Sequence, residues 1–183
     1  MQQDFSENVN GNWEPKSCKI ETRNPDANWE RIWRNGRLSC LDNNSLSFAF
    51  MLIHDLLPSE SKVSEIIGSS PPECKFSCQH ISDYLHIFFE CFHSSAIGDW
   101  LFNIVTKFDP STNKSAILKL DFEGSDSVIW LVVQVMGLIW ERRKTKKSIT
   151  LTECREKIYT DAMILLETKH LNTASMILQI ISL

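Results

Sequence analysis

The stretch CKFSCQHISDYLHIFFEC, residues 74–91, holds three of the six cysteines of this 183-residue chain. Its spacing is Cys74-x3-Cys78-x7-His86-x4-Cys91. Thiolates and imidazoles are the donors that zinc binds in proteins, and four of them can close a tetrahedron around one ion. Two cysteines a few residues apart form a tight turn, and the intervening segment can return the chain to the same point. The spacing therefore predicts a structural zinc knuckle with these four side chains as ligands.

Two features of this stretch leave the ligand set open. His80 and His93 each lie two residues from a cysteine and compete with His86 as a ligand. On a straight α-helix, His86 and Cys91 would point about 140° away from each other. The helix must therefore end, tighten or bend between them. The alternative to a metal site is that the cysteines are small core residues and His86 is a hydrogen-bonded histidine.

Helical patterns lie on both sides of the cysteine stretch. Trp29, Ile32 and Trp33 are spaced as on one face of a short helix, and Asn35-Gly36 is typical of its end. Capping residues and apolar periodicity predict five further helices. The first three run from Asn43–Ser45 to Pro58, from Ser59 or Ser61 onward, and from 97 to Asp109. The fourth runs from 127 to about 143 with Ser125 or Asp126 as its cap, and the fifth starts at the capping box Thr150–Glu153.

Two segments fit the helical pattern less well. Residues 117–123, ILKLDFE, alternate and predict a short strand or hairpin, and the apolar stretch 174–183 fits either a helix or a strand. The fold prediction is mainly α: a small helical domain over residues 28–183, with the zinc knuckle embedded at 74–91. Residues 1–27 are polar without a hydrophobic period, which predicts a disordered tail.

Localisation follows from what the sequence lacks. The N-terminus has no apolar signal-peptide core. The longest apolar stretch, Val128 to Trp140, is interrupted by Gln134 and is shorter than the roughly 20 residues that a membrane-spanning helix needs. We therefore predict an intracellular protein, cytoplasmic or nuclear, with reduced cysteines and no membrane partner.

The residues around the histidine resemble a known family. Asp83-Tyr-Leu-His86-Ile-Phe-Phe-Glu-Cys91, followed by Trp100, is similar to the signature of reverse-transcriptase zinc-binding domains, which lie C-terminal to the polymerase in non-LTR retrotransposons. Further elements of that family occur in the same order, namely the Trp29–Trp33 helix, Leu52-Ile-His54-Asp-Leu-Leu-Pro58 and Ile139-Trp140-Glu-Arg-Arg143. The resemblance covers about residues 28–143 and departs from the family in its Cys-x3-Cys pair, where Cys-x2-Cys is commoner. It implies a zinc-binding module that accompanies a polymerase.

The chain lacks the motifs of an enzyme. A reverse transcriptase holds its metal ions with paired aspartates, and no Asp-Asp occurs in the sequence. A phosphate-binding glycine-rich loop is also absent, as is a nucleophile with a recognisable base. A zinc ion with four protein ligands has no open position for water. We predict a non-catalytic protein without a small-molecule substrate.

One dense basic run follows the apolar helix. Its cations can contact phosphates and release counterions, or they can form a solvated helix end that complements the helix dipole. The run comprises Arg142, Arg143, Lys144, Lys146 and Lys147. A smaller cluster lies beside two tryptophans, whose spacing is more typical of core residues than of base-stacking ones. This cluster comprises Arg31, Arg34 and Arg37.

Two functions remain on these grounds. The first is a retrotransposon-derived zinc module that assists RNA or DNA binding, which the resemblance and the basic run favour. The alternative is a helical protein-interaction or structural remnant in which zinc only stabilises the fold. The net charge of -4 favours the alternative, because nucleic-acid-binding domains are usually basic.

Overall fold

The computed structural model describes residues 6–7, 13–14, 25–69, 73–78, 80–168 and 170–182. Helices dominate these residues, and the mainly α prediction is confirmed. Two short strands, β1 (Ser6–Glu7) and β2 (Trp13–Glu14), pair antiparallel near the N-terminus. Most of the tail predicted over residues 1–27 lies outside the described residues, so the disorder assigned to it stays a prediction.

The described residues contain eight α-helices and one short π-helix. In chain order they are α1 (Trp29–Asn35), α2 (Asn43–Ile53), α3 (Glu60–Ile67), the π-helix (His86–Glu90), α4 (Ser95–Phe108), α5 (Lys114–Leu118), α6 (Asp126–Lys144), α7 (Leu151–Leu166) and α8 (Leu171–Ile181). The C-terminal apolar stretch is thus a helix, one of the two possibilities that its sequence allowed.

Side-chain caps explain where several helices begin. Asn28 caps α1, Ser59 caps α3, and Thr150 with Glu153 forms the expected capping box at the start of α7. Each cap accepts a hydrogen bond from a backbone N–H that has no partner within the helix. At α2 the cap is Asp42, one residue before the predicted start.

Helix α2 ends earlier than its apolar sequence predicted. It stops at Ile53 rather than at Pro58. Asp55 adopts a left-handed backbone with φ of 55°, which turns the chain out of the helical path. Leu57 lies in the loop after the helix and is buried in the core. The apolar pattern therefore continues beyond the end of the helix.

The strand predicted over residues 117–123 is wrong. The segment begins as the end of α5 and continues as a turn in which Leu120 has φ of 56°. Ile117, Leu120 and Phe122 are all fully buried. These three apolar residues alternate with polar ones because a helix end and the turn after it direct their side chains into the same core.

Helix α6 is the centre of the fold. It contacts α2, α4, α7, α8 and the π-helix. Five of its apolar residues at helical spacing are all buried: Ile129, Val132, Val133, Met136 and Trp140. Burying one such side chain stabilises the fold by roughly 1.5–3 kcal/mol. Within the described part of the chain, no helix is long and apolar enough to cross a membrane.

Candidate metal centre

A tight turn brings the first two cysteines together. The Ser77 N–H donates to the Cys74 carbonyl at 2.8 Å, and Ser77 has φ of 59°, in the left-handed region. The Cys74 N–H donates to the His80 carbonyl at 3.0 Å, which closes the base of the turn. The segment therefore forms a small knuckle that starts at Cys74 and contains Cys78.

The π-helix brings the other two ligand candidates together. The Cys91 N–H donates to the His86 carbonyl at 2.7 Å, a hydrogen bond between residues five apart. This is the bond that defines a π-turn, and such turns occur often at functional sites. The sequence required the helix to end, tighten or bend here. The helix does end there, at Cys91, whose backbone is extended. It also widens to a π-turn before it ends, which the sequence did not predict.

Contacts with the start of α4 support the widened turn. The Ser94 hydroxyl donates to the Ile87 carbonyl at 2.6 Å. Gly98 lies so close that a β-carbon there would be 2.4 Å from the Phe88 carbonyl oxygen. Only glycine allows α4 to approach the π-helix this closely.

The four predicted ligands form one cluster. Their donor atoms all lie within 4.8 Å of one another. The Cys91 sulfur is 3.8 Å from the Cys74 sulfur and 3.6 Å from the Cys78 sulfur. Two thiolates on a tetrahedral zinc with bonds of about 2.3 Å would be about 3.8 Å apart. The His86 Nε2 atom is buried and has no hydrogen-bond partner in the described structure, so a metal would satisfy it. The cluster can hold a metal ion.

The competing histidines do not belong to this cluster. The His93 ring packs against Phe76, with ring centroids 4.3 Å apart. His80 is exposed, and its ring centroid is 5.4 Å from that of His86. The geometry therefore selects His86 from the three histidines that the sequence left open.

The remaining described cysteines are core residues. Cys40 and Cys154 are buried at a distance from the cluster, and Cys18 lies outside the described residues. Burial raises the pKa of the Cys154 thiol to about 12. Burial, with the nearby Asp126 carboxylate, also raises the pKa of the Cys40 thiol. Both behave as small apolar side chains.

Arg143 is a part of this site that the sequence did not reveal. Its side chain is 3% exposed, and its Nη1 donates to the Cys74 sulfur at 3.5 Å. Its Nη2 donates to the Glu60 carboxylate at 2.7 Å and also to the Ser82 hydroxyl. Lys75 pairs with the other Glu60 oxygen at 2.8 Å. A buried network of ionic hydrogen bonds thus adjoins the cluster.

This network makes the two buried thiols unlike each other. Burial alone would raise the pKa of Cys74. The hydrogen bond and charge of Arg143, together with hydrogen bonds from the Phe76 backbone and His86, outweigh burial, and the pKa falls to about 6. Burial raises the pKa of Cys91 to about 12, and the neighbouring thiols of Cys78 and Cys74 act in the same direction. Arg143 therefore favours the thiolate form at Cys74, the form that binds metals.

The structure divides the basic run into one buried and four accessible cations. Arg142 is half-buried, whereas Lys144, Lys146 and Lys147 are exposed at the C-terminal end of α6. The Lys147 N–H donates to the Arg142 carbonyl and Lys146 has φ of 53°, which forms a Schellman motif. Arg143 was predicted to contact nucleic acid with the others, but its burial removes it from that surface.

The smaller arginine cluster pairs with the chain's own groups. Arg31 forms ion pairs with Asp121 and Glu123, and Arg34 reaches Glu123. The Arg37 guanidinium lies 5.5 Å from the centroid of the Trp33 ring. Arg31 and Arg34 thus tie α1 to the segment after α5.

An aromatic and basic surface lies beside the metal centre. Phe92 follows the last ligand and is 84% exposed, and its ring centroid is 5.6 Å from that of His93. A small cleft next to Cys91 has a mixed lining that includes Phe76, His93, Arg142 and Lys147. We refer to Phe76, Phe92, His93, Arg142 and Lys147 as the knuckle surface. It combines the exposed ring of Phe92 and the half-buried rings of Phe76 and His93 with two cations.

A separate cleft of about 620 Å³ lies between α2, α6 and α7. Its floor includes Phe48, Trp130 and Ile158, and Lys157 and Asp161 form an ion pair on its rim. The four metal donors are not among its lining residues. The candidate metal centre is therefore independent of this cleft.

No protein-family model matches the chain, and neither does any curated protein or solved structure. The resemblance to reverse-transcriptase zinc-binding domains therefore stands on the sequence motifs alone. Fold and site together define the class of protein: a mainly α domain with a Cys3His cluster able to hold a metal ion.

Proposed function

We propose that this protein is a non-catalytic zinc-binding module, derived from the reverse-transcriptase polyprotein of a non-LTR retrotransposon, that assists RNA or DNA binding. The observation that carries the proposal is the cluster of Cys74, Cys78, His86 and Cys91, with two sulfur–sulfur distances of 3.6 and 3.8 Å. These distances match the edge of a zinc–thiolate tetrahedron, which is about 3.8 Å.

Zinc is the metal that this donor set favours. Three thiolates and an imidazole form a soft donor set, and tetrahedral sites of this composition are typical of structural zinc. Four protein ligands leave no coordination position for water, which supports a structural ion. Zinc would hold the Cys74–Cys78 turn against the π-helix, because each of these segments contributes two ligands.

The knuckle surface supports contact with nucleic acid. Arg142 and Lys147 can pair with phosphates, and Phe92 presents a ring on which a base can stack. Among the described residues, the salt bridges include Lys144 with Glu141 but do not include Arg142, Lys146 or Lys147. Because these charges lie beside the metal centre, loss of zinc would disturb the surface that carries them.

Binding of the zinc-loaded chain to labelled single-stranded RNA, single-stranded DNA and duplex DNA tests the nucleic-acid role. Fluorescence anisotropy would be followed over a range of salt concentrations. We expect binding at low salt that weakens as salt rises, because phosphate contacts release counterions. Removal of zinc by a chelator should weaken binding further.

The alternative function is a helical protein-interaction or structural remnant in which zinc only holds the fold together. The net charge of -4 favours it. Absence of binding to all three nucleic acids at low salt, by a chain that contains stoichiometric zinc, would select this alternative.

A further inference from the structure

The Arg143 side chain links three separate parts of the fold at the metal centre. It belongs to α6, yet it donates to the sulfur of Cys74, 69 positions earlier in the chain. It also donates to Glu60 on α3 and to Ser82 before the π-helix. One guanidinium group thus holds the knuckle against two other segments of the domain.

The position of Arg143 has an electrostatic consequence. A buried cation is stable only when it is paired and hydrogen-bonded. Glu60 supplies one negative charge, but its other oxygen is already paired with Lys75. A divalent ion held by three thiolates and a neutral imidazole carries one excess negative charge. That anionic centre, two cations and one carboxylate together form a neutral group.

We propose that Arg143 is the positioning residue of the metal centre: it fixes the Cys74 thiolate through an N–H···S hydrogen bond and offsets the negative charge of the occupied site. This inference rests on the proposed zinc centre and adds a residue outside the ligand set. Residues that hydrogen-bond metal ligands commonly contribute about 10–100-fold to metal affinity.

A role limited to pairing with Glu60 is the competing explanation. In that case Arg143 would matter only because its loss leaves a buried carboxylate without a partner. The hydrogen bond to Cys74 would then be incidental. The two explanations differ in what happens when Glu60 and Arg143 are both neutralised.

Zinc affinity of the full chain, measured by competition with a chromophoric chelator, provides the first readout. We expect Arg143→Gln to weaken zinc binding by about 10–100-fold. Arg143→Lys should lose less zinc affinity than Arg143→Gln, because lysine keeps the positive charge. It should still lose some, because lysine lacks the planar fork that reaches both Cys74 and Glu60. Lys144→Gln, at the exposed neighbouring position of α6, is the matched control, and its affinity should stay within about twofold of the wild type.

The absorption spectrum of the cobalt-substituted chain provides a second readout, which a purely structural role would not change. A thiolate that loses a hydrogen bond becomes a better electron donor, so the thiolate-to-cobalt charge-transfer band should move to lower energy in Arg143→Gln. The Arg143→Lys band should lie between those of Arg143→Gln and the wild type. The d–d bands should remain those of a tetrahedral site in every variant.

The single variant Arg143→Gln leaves the Glu60 carboxylate without its arginine partner, and misfolding for that reason would obscure the result. The double variant Glu60→Gln/Arg143→Gln also neutralises that carboxylate. Weakened affinity and a shifted charge-transfer band in this double variant, with a wild-type circular dichroism spectrum, are the expected result. Wild-type affinity and an unshifted band would overturn the inference and leave the zinc centre intact. A wild-type chain that binds neither zinc nor cobalt would instead contradict the proposed metal centre, and this inference with it.

Discussion

The Cys91 N–H donates to the His86 carbonyl at 2.7 Å across a single π-turn. In a straight α-helix, residues five apart would point about 140° away from each other. The wider turn places the imidazole and the thiolate in one cluster with the two sulfurs of the knuckle. The backbone conformation of residues 86–91 therefore brings His86 and Cys91 into the same cluster as Cys74 and Cys78.

Gly98 should be essential for the packing that supports this turn. A β-carbon at Gly98 would lie 2.4 Å from the Phe88 carbonyl oxygen, so Gly98→Ala must push α4 away from the π-helix. We expect a loss of about 1–3 kcal/mol in the free energy of unfolding, measured by denaturant titration.

Gly137→Ala is the control for that substitution. Gly137 is also helical, but its β-carbon would meet the Phe48 ring at an ordinary 3.7 Å. The alanine should therefore be neutral or stabilise the protein by about 0.5–1 kcal/mol through helix propensity. Equal effects of the two substitutions would contradict the close approach described for α4.

Asn35 should be needed to hold the turn after α5. Its buried amide donates to the carbonyls of Leu120 and Phe122, at 2.8 and 3.0 Å. Asn35→Ala would leave both carbonyls without this partner, and we expect a cost of about 1–3 kcal/mol in stability. Thermal unfolding monitored by circular dichroism would test this. Asn103→Ala, at an exposed position of α4, should change stability by less than about 0.5 kcal/mol.

The accessible part of the basic run should carry the salt dependence of nucleic-acid binding. Each phosphate contact adds about -0.7 to the slope of log K against log salt for single strands. Replacing Arg142, Lys146 and Lys147 with Gln should therefore flatten the slope by about two units. Zinc content should be unchanged, since none of the three is a ligand. An unchanged slope would move the contact surface away from the end of α6.

Phe92 should contribute stacking energy to the same complex. Its ring is 84% exposed beside the last ligand, where a base can reach it. We expect Phe92→Ala to weaken single-strand binding by about 1–3 kcal/mol with little change in the salt slope. Phe108→Ala, at a partly exposed position at the end of α4, is the control and should bind as the wild type does. Equal affinity of the two variants would exclude stacking at Phe92.

The sequence identified those parts of the molecule that depend on local signals. Cap residues at Ser59 and Thr150 marked helix starts, and apolar periodicity predicted helix α6. The cysteine and histidine spacing identified four side chains that the structure brings together. In each case the decisive residues lie within one helix or one short stretch of the chain.

What the sequence missed depends on contacts between distant residues. Arg143 lay within a run of cations and resembled a surface residue, but its partners are Cys74 and Glu60, far away in the chain. Residues 117–123 were predicted as a strand because their apolar residues alternate, but a helix end and a turn with Leu120 at φ of 56° bury Ile117, Leu120 and Phe122. The π-turn was not foreseen because part of its support comes from Ser94 and Gly98, which follow it in the chain.

The zinc content of the full chain, measured by native mass spectrometry, shows whether Cys74, Cys78, His86 and Cys91 hold a zinc ion. We expect one zinc ion per wild-type chain, and one in His80→Ala and in His93→Ala. His86→Ala should lose it, and the Cys74→Ser/Cys91→Ser double variant should contain none. Stoichiometric zinc in that double variant, or a wild-type chain without zinc after expression in zinc-supplemented medium, would contradict the proposed metal centre.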